Sequence, residues 1–215
     1  MSAPAWLATA LSSVWLALCP VPSGQQPAAS SSPSAKSKPK TDQHVKASAA
    51  DSGNIRYQSS NFGFTYRVPF GWVDRTKEMR EEGADPAKSQ LLLAVFERPP
   101  EATGDTVNSA VIIAAESAMS YSGLKTAADY LDSLTDLTTS KGFRVTQEAH
   151  EFPVGTKELV RSDFAKHLGT VTMYQSSLAY MQKGFAVSFT FIGGSEDEVE
   201  ELIEKLSFPA AARPR

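Results

Sequence analysis

The sequence predicts an α+β fold, in which an antiparallel sheet of about six to seven strands packs with two or three helices as a layered sandwich. Alternating or continuous apolar stretches indicate strands, and short links such as Lys183-Gly184 favour hairpins between them. Two other stretches carry apolar residues three and four positions apart, the spacing of an amphipathic helix. These patterns fill residues 54–208, which we therefore predict to be a single domain.

The residues before this domain differ from it in composition. Residues 4–21 are nearly all apolar or small, which predicts a secretory signal peptide over residues 1–24, although no Lys or Arg precedes the run. An uncleaved membrane anchor is the alternative. Residues 25–53 are rich in Ser, Pro, Ala and Lys and are predicted to be a disordered linker, because they hold too little apolar surface to fold. A flexible tail is expected over residues 209–215.

Cys19 is the only cysteine, so an intramolecular disulfide and a cysteine-ligated metal site are not expected. Its position at the end of the apolar run matches bacterial lipoproteins, in which such a cysteine is acylated. A bulky leucine nevertheless stands where a small residue is expected. Two alternatives stay open: lipidation of Cys19, or its removal with the signal peptide.

The first strand is predicted from alternation, with apolar residues on one face and Gly63, Thr65 and Arg67 on the other. The apolar residues are Phe62, Phe64, Tyr66 and Val68. Residues 68–71 are expected to form a type I turn, with Pro69 at its second position and Phe70 at its tip. We interpret the aromatics Phe62, Phe64, Tyr66 and Trp72 as core residues, and Phe70 as a candidate exposed anchor for a partner.

The remaining strands and helices are predicted from hydrophobic periodicity and from helix-capping residues. Strands are predicted over residues 89–98, 108–115, 143–152, 157–165, 169–182 and 184–192. One helix is predicted over residues 124–139, ending before Gly142. A second begins at the capping box Ser195–Glu198, and charged residues 75–82 suggest a short third helix.

Both ends of the domain resemble the PsbP-like fold. The resemblance rests on Tyr57, on Phe62-Gly63-Phe64 through Gly71-Trp72, and on residues 184–191 followed by a capped helix and Leu206-Ser207-Phe208. This family includes extrinsic photosystem II proteins, a Ran-binding nuclear import factor, and exported DcrB-like and LpqN-like bacterial proteins. It implies an antiparallel sheet between helices and, in most members, a binding or scaffold role. Its members do unrelated things, so the resemblance names no partner and no site residue.

Charge and side-chain chemistry narrow the function classes. Residues 54–215 hold 17 basic and 22 acidic side chains, a formal charge of −5 that argues against nucleic-acid binding. Of the three histidines, His44 lies in the linker, while His150 and His167 lack the short spacing of a metal-ligand motif. No nucleophile elbow or phosphate-binding loop is present in the sequence. We therefore expect no catalytic residues, no metal and no cofactor.

The sequence favours an exported, non-catalytic binding or adaptor protein of the cell envelope or periplasm, whose partner is an unknown envelope or secreted protein. Contact with a membrane is expected only through the N-terminal segment, if that segment is uncleaved or lipidated. The alternative is a small-ligand carrier or weak hydrolase that uses a cleft between sheet and helix, lined by polar side chains such as His150 or Arg161.

Overall fold

The computed structural model of the chain describes residues 55–81, 88–99, 101–102 and 104–209. The predicted signal peptide, the linker and Cys19 lie outside these residues, as do residues 210–215 of the predicted tail. Among the described residues, no helix is long and apolar enough to cross a membrane.

Seven antiparallel strands form the main sheet, in the spatial order β3-β4-β5-β9-β8-β7-β6. These strands are β3 (Val73–Asp74), β4 (Ser89–Phe96), β5 (Ala110–Ser117), β6 (Arg144–Val154), β7 (Lys157–Leu168), β8 (Val171–Gln182) and β9 (Phe185–Gly193). A smaller antiparallel sheet has the order β1-β2-β10 and consists of β1 (Arg56–Ser59), β2 (Phe64–Arg67) and β10 (Leu206–Ser207). The predicted α+β class is confirmed, and the small sheet is an addition to it.

Among the described residues, three helices complete the fold: α1 (Thr76–Glu81), α2 (Ala127–Ser140) and α3 (Glu196–Ile203). A 3-10 turn at Ala118–Ser120 follows β5. The small sheet and α3 cover one face of the main sheet, which we call the first face. Helix α2 packs on β6, β7 and β8 from the other side, the second face, and α1 packs on β4.

Aromatic contacts between β2 and β9 join the two sheets on the first face. The ring centroids of Phe64 and Phe189 lie 5.0 Å apart, and those of Tyr66 and Phe191 lie 6.2 Å apart. Such edge-to-face and tilted pairs are favourable beyond the area that they bury. The Tyr66 hydroxyl donates to the carbonyl of Leu202 on α3 (3.3 Å), and burial raises the pKa of this phenol. The prediction that Phe62, Phe64 and Tyr66 form the core is confirmed, whereas Trp72 is partly buried and packs against that core.

Both predicted capping signals are present, with small differences in detail. Helix α2 begins three residues later than expected, because Thr126 and Asp129 form its capping box. It ends before Gly142, whose φ of 87° favours glycine. At α3, the Ser195 hydroxyl accepts from the Glu198 amide (3.1 Å) as predicted. The Glu198 carboxylate, however, accepts from the amide of Gly194 (2.8 Å), one residue earlier than the capping box predicts.

The predicted turn before Trp72 is displaced by one residue. The Trp72 amide donates to the carbonyl of Pro69 (3.4 Å), so Phe70 and Gly71 are the central residues. Gly71 has a φ of 80°, which the third position of a type II turn requires, whereas the expected type I turn would place Gly71 fourth. The correction keeps Phe70 at the tip of the turn.

We predict a large loss of stability for one phenylalanine substitution and almost none for another, six residues away. Phe64→Ala should lower the free energy of unfolding by about 3–5 kcal/mol, because Phe64 is fully buried between the sheets. Phe70→Ala should change it by less than about 0.5 kcal/mol, because Phe70 is 84% exposed. Urea unfolding of the full chain measures both values. Similar losses in the two variants would contradict the packing described here.

Candidate functional site

The predicted anchor Phe70 projects from the turn between β2 and β3. It is 84% exposed, and Ile55, at the start of the small sheet, is 70% exposed. The carbonyl of Ile55 accepts a hydrogen bond from the amide of Val68 (2.8 Å), so both side chains belong to the same end of the small sheet. Met119, in the 3-10 turn, is 96% exposed and completes the set of strongly exposed large hydrophobic residues in the described part of the chain.

Two arginines stand on the two strands that meet at this end of the small sheet. Arg56 on β1 and Arg67 on β2 are directly opposite in register and exposed, on the face of the small sheet that points away from the core. Like charges in this position repel each other. Neither arginine forms an ion pair with any residue that the structure describes. We call Ile55, Arg56, Arg67 and Phe70 the Phe70 surface.

A second group of charges, the Arg161 cluster, links β7 to α3 and consists of Arg161, Asp163, Ser176 and Glu200. The Arg161 guanidinium donates to both oxygens of Asp163 (2.9 and 3.1 Å), to the Ser176 hydroxyl (3.1 Å) and to Glu200. Burial disfavours the charged guanidinium, but the hydrogen bonds to Glu200 and Asp163 outweigh it and raise the pKa of Arg161. Arg161, predicted as a cleft residue, is therefore engaged in holding α3 on the first face.

Of the two histidines of the domain, His150 on β6 lies directly opposite Arg161 in register, but neither histidine hydrogen-bonds to the Arg161 cluster among the described residues. His150 Nδ1 is 3.0 Å from the carbonyl oxygen of Glu148, within β6. His167 Nδ1 is 2.9 Å from Thr172 Oγ1, across the exposed β7–β8 hairpin. Within the described residues, no three His, Cys, Asp or Glu side chains come close enough to hold a metal ion.

Sequence reasoning missed a buried polar group on the second face, the Glu116 cluster of Glu116, Tyr130 and Ser188. Glu116, on β5, is only 2% exposed. Its carboxyl hydrogen-bonds with Tyr130 of α2, whose hydroxyl donates to Ser188 Oγ on β9 (3.1 Å). Glu116 Oε2 has no hydrogen-bond partner among the described residues. Burial raises the pKa of Glu116 to about 8, so the carboxyl is mostly protonated at neutral pH.

The polar character of the second face continues beyond this cluster. Thr190, Ser177 and Ser162 lie directly opposite one another on β9, β8 and β7, and all three are buried. The side-chain amide of Gln175 donates to the Ser177 hydroxyl (3.1 Å). Ser162 Oγ and Gln175 Oε1 also have no partner among the described residues. Buried polar atoms normally have hydrogen-bond partners. This row of polar side chains is therefore suited to binding a small polar ligand or internal water.

Comparison with known proteins finds matches only among solved structures. No family model and no curated relative matches the sequence. Solved structures that match include cyanobacterial PsbP from Synechocystis sp. PCC 6803, with 15% identity, a TM-score of 0.49, and coverage of 77% of this chain and 98% of that one. The Saccharomyces cerevisiae Ran-binding protein Mog1p matches at 16% identity and a TM-score of 0.40, covering 73% and 85%.

LpqN of Mycobacterium tuberculosis, described as involved in cell envelope biogenesis, matches at 12% identity and a TM-score of 0.40, covering 75% of this chain and 88% of that one. These proteins belong to the groups that the sequence resembles, and they match this chain at TM-scores below 0.5. No binding property is transferred from them to this chain.

We predict that Glu116 makes the stability of the chain pH-dependent. The pKa of Glu116 is about 8 in the folded chain, against the ordinary value of 4.5 for an exposed glutamate, so the folded state holds one more proton than the unfolded state between these pH values. The free energy of unfolding should therefore fall by about 1.4 kcal/mol per unit as the pH rises through this range. Glu116→Gln should remove this slope and be more stable than the wild type at pH 8.

Urea unfolding between pH 5 and 9 tests this prediction, with Glu148→Gln as the control because Glu148 is exposed on β6. The control variant should keep the slope of the wild type. A slope that survives in Glu116→Gln would show that another group is responsible.

Proposed function

We propose that the chain is an exported, non-catalytic adaptor that binds a protein partner through the Phe70 surface. The observation that carries the proposal is the 84% exposure of Phe70 at the tip of a turn whose base is fixed. An aromatic ring that contributes nothing to the core leaves apolar area in water, and a partner can bury this area, because protein interfaces are enriched in aromatic residues.

The base of the turn supports a binding role for its tip. Val68 is buried in the core, and Trp72 packs against the same cluster. The amide of Val68 bonds to Ile55, and that of Trp72 bonds to Pro69. Phe70 is thus presented from a supported loop, which lowers the entropy lost when a partner orders it.

Export rests on the N-terminal sequence. The apolar run and the Ser/Pro/Ala/Lys-rich segment after it have the composition of a signal peptide and a tether.

Site-specific photo-cross-linking tests the adaptor proposal. The full chain is produced in its source cells with benzoylphenylalanine at position 70, or at position 119 as a control that is equally exposed but lies outside the Phe70 surface. We expect a discrete protein adduct from position 70, absent from position 119, in the envelope, periplasmic or secreted fraction. No adduct, the same adducts from both positions, or an adduct confined to the cytoplasm would contradict the proposal.

The Glu116 cluster favours a second candidate function, the carriage of a small polar molecule between the second face and α2. Tyr130 gives its hydroxyl proton to Ser188 Oγ, so the proton of the buried, mostly protonated carboxyl is the one that joins Glu116 to Tyr130. The Oε2 atom, which lacks a partner among the described residues, is left as an acceptor under the helix. A neutral ligand with a hydrogen-bond donor would complement it.

Native mass spectrometry of the full chain, purified from its source cells, tests the second candidate. The expected result is a non-covalent mass increment on the wild type that Glu116→Leu loses and Glu148→Leu keeps. A wild-type spectrum with only the bare mass would exclude carriage of a stable ligand.

A further inference from the structure

The Phe70 surface carries the opposite charge to the domain that bears it. Residues 54–215 have a formal charge of −5, yet Arg56 and Arg67 stand side by side on the outer face of the small sheet. A third basic residue, Lys205, adjoins them, because its carbonyl accepts a hydrogen bond from the amide of Arg67 (3.1 Å). A positive area on an acidic domain steers oppositely charged partners towards it.

The nearby carboxylates form no ion pair with the two arginines. Glu200 and Glu201 of helix α3, and Glu204 directly after it, are exposed, and the end of the helix leads into β10 beside β2. Glu200 pairs with Arg161 instead, and no described carboxylate lies within 4.0 Å of either Arg56 or Arg67. The repulsion between two arginines held opposite each other therefore persists in the free chain and would be relieved by an anionic group bound between them.

The geometry of the pair suits carboxylates carried by an extended chain. Side chains directly opposite on an antiparallel pair have Cβ atoms roughly 5 Å apart. Alternate side chains of an extended segment point to one side about 7 Å apart, a spacing that two flexible arginine side chains can follow. Each guanidinium can bind a carboxylate through two parallel hydrogen bonds. Phe70 and Ile55 lie at the end of the same sheet, where they would contact an apolar side chain next to the acids.

We propose that the partner bound by the Phe70 surface presents an acidic segment, with at least two carboxylates for Arg56 and Arg67 and a neighbouring apolar side chain for Phe70. This inference rests on the proposed adaptor function and names the chemistry of its partner. A protein segment is favoured over an anionic membrane, because membrane-binding patches typically hold four to eight basic residues, whereas this surface holds two and Lys205 beside it donates its ammonium to the carbonyl of Glu201.

Fluorescence anisotropy with a labelled acidic peptide tests the inference. The probe is a twelve-residue peptide made of Glu-Glu-Leu repeats, titrated with the full chain at low salt. The combined variant Arg56→Glu, Arg67→Glu should bind at least about tenfold more weakly than the wild type, since it replaces attraction with repulsion. Arg144→Glu, a reversal at an exposed position on β6, should bind within about twofold of the wild type.

Three further variants test separately how the arginine charge, the guanidinium geometry and the apolar contact contribute to peptide binding. Replacing both arginines with lysine should cause an intermediate loss, because the charge remains and the bidentate geometry does not. Phe70→Ala should weaken binding, and Met119→Ala should leave it unchanged. Circular dichroism confirms that each variant is folded. Equal weakening by Arg144→Glu, or a wild type that does not bind the probe, would overturn the inference.

Vesicles of phosphatidylglycerol and phosphatidylcholine test the alternative that the surface binds an anionic membrane. Binding of the wild type to these vesicles but not to the peptide would show that the surface recognises a lipid, and would overturn the proposed segment. Cross-linking from position 70 separates the two proposals: an adduct that persists when both arginines are reversed keeps the adaptor function and rejects the acidic partner. Loss of the wild-type adduct itself rejects the adaptor function.

Discussion

Aromatic packing between β2 and β9 is the interaction on which the rest of the structure depends. Phe62, Phe64 and Tyr66 of the β2 segment contact Phe185, Phe189 and Phe191, respectively, at centroid distances from 5.0 to 6.2 Å. These contacts place the small sheet on the main sheet, and Tyr66 also bonds to α3. The turn that carries Phe70 follows directly from β2, so its position is set by the same packing. The molecule thus uses alternate aromatics for its core and leaves the next one, Phe70, in solvent.

The two faces of the main sheet differ in the polarity of their buried side chains. The first face is a continuous apolar cluster, bounded by the Arg161 cluster where β7 meets α3. On the second face a polar row of Thr190, Ser177 and Ser162 lies between two apolar clusters. Burial of Glu116 there costs stability as the pH rises, because a carboxylate in a low-dielectric interior is disfavoured. An apolar residue at position 116 would avoid that cost. Because the chain has a glutamate there instead, we keep ligand binding as the second candidate function.

Periodicity predicted the long strands, the two longer helices and the aromatic core, because each depends on residues close in sequence. The short strands β1 and β10 were not predicted from periodicity, because their apolar residues are too few to show an alternation. Glu116 was missed because the apolar run before it predicts a strand that ends at Ala115, whereas β5 continues to Ser117. The contact of Tyr130 with Ser188 and the opposition of Arg56 and Arg67 depend on tertiary placement and strand register, which local patterns do not encode. The signal peptide, the linker and lipidation of Cys19 stay predictions.

The central claim is that the end of the small sheet binds a partner while the two sheets stay packed. Hydrogen–deuterium exchange of the full chain, free and in the complex captured through position 70, tests it most directly. Binding here should slow exchange in residues 55–59 and 64–72 and leave the amides of α2 and β6 unchanged, because they lie on the other side of the main sheet or at its far edge. Protection confined to α2 or β6, or loss of protection in β2 and β9, would show that the partner uses another surface or opens the fold.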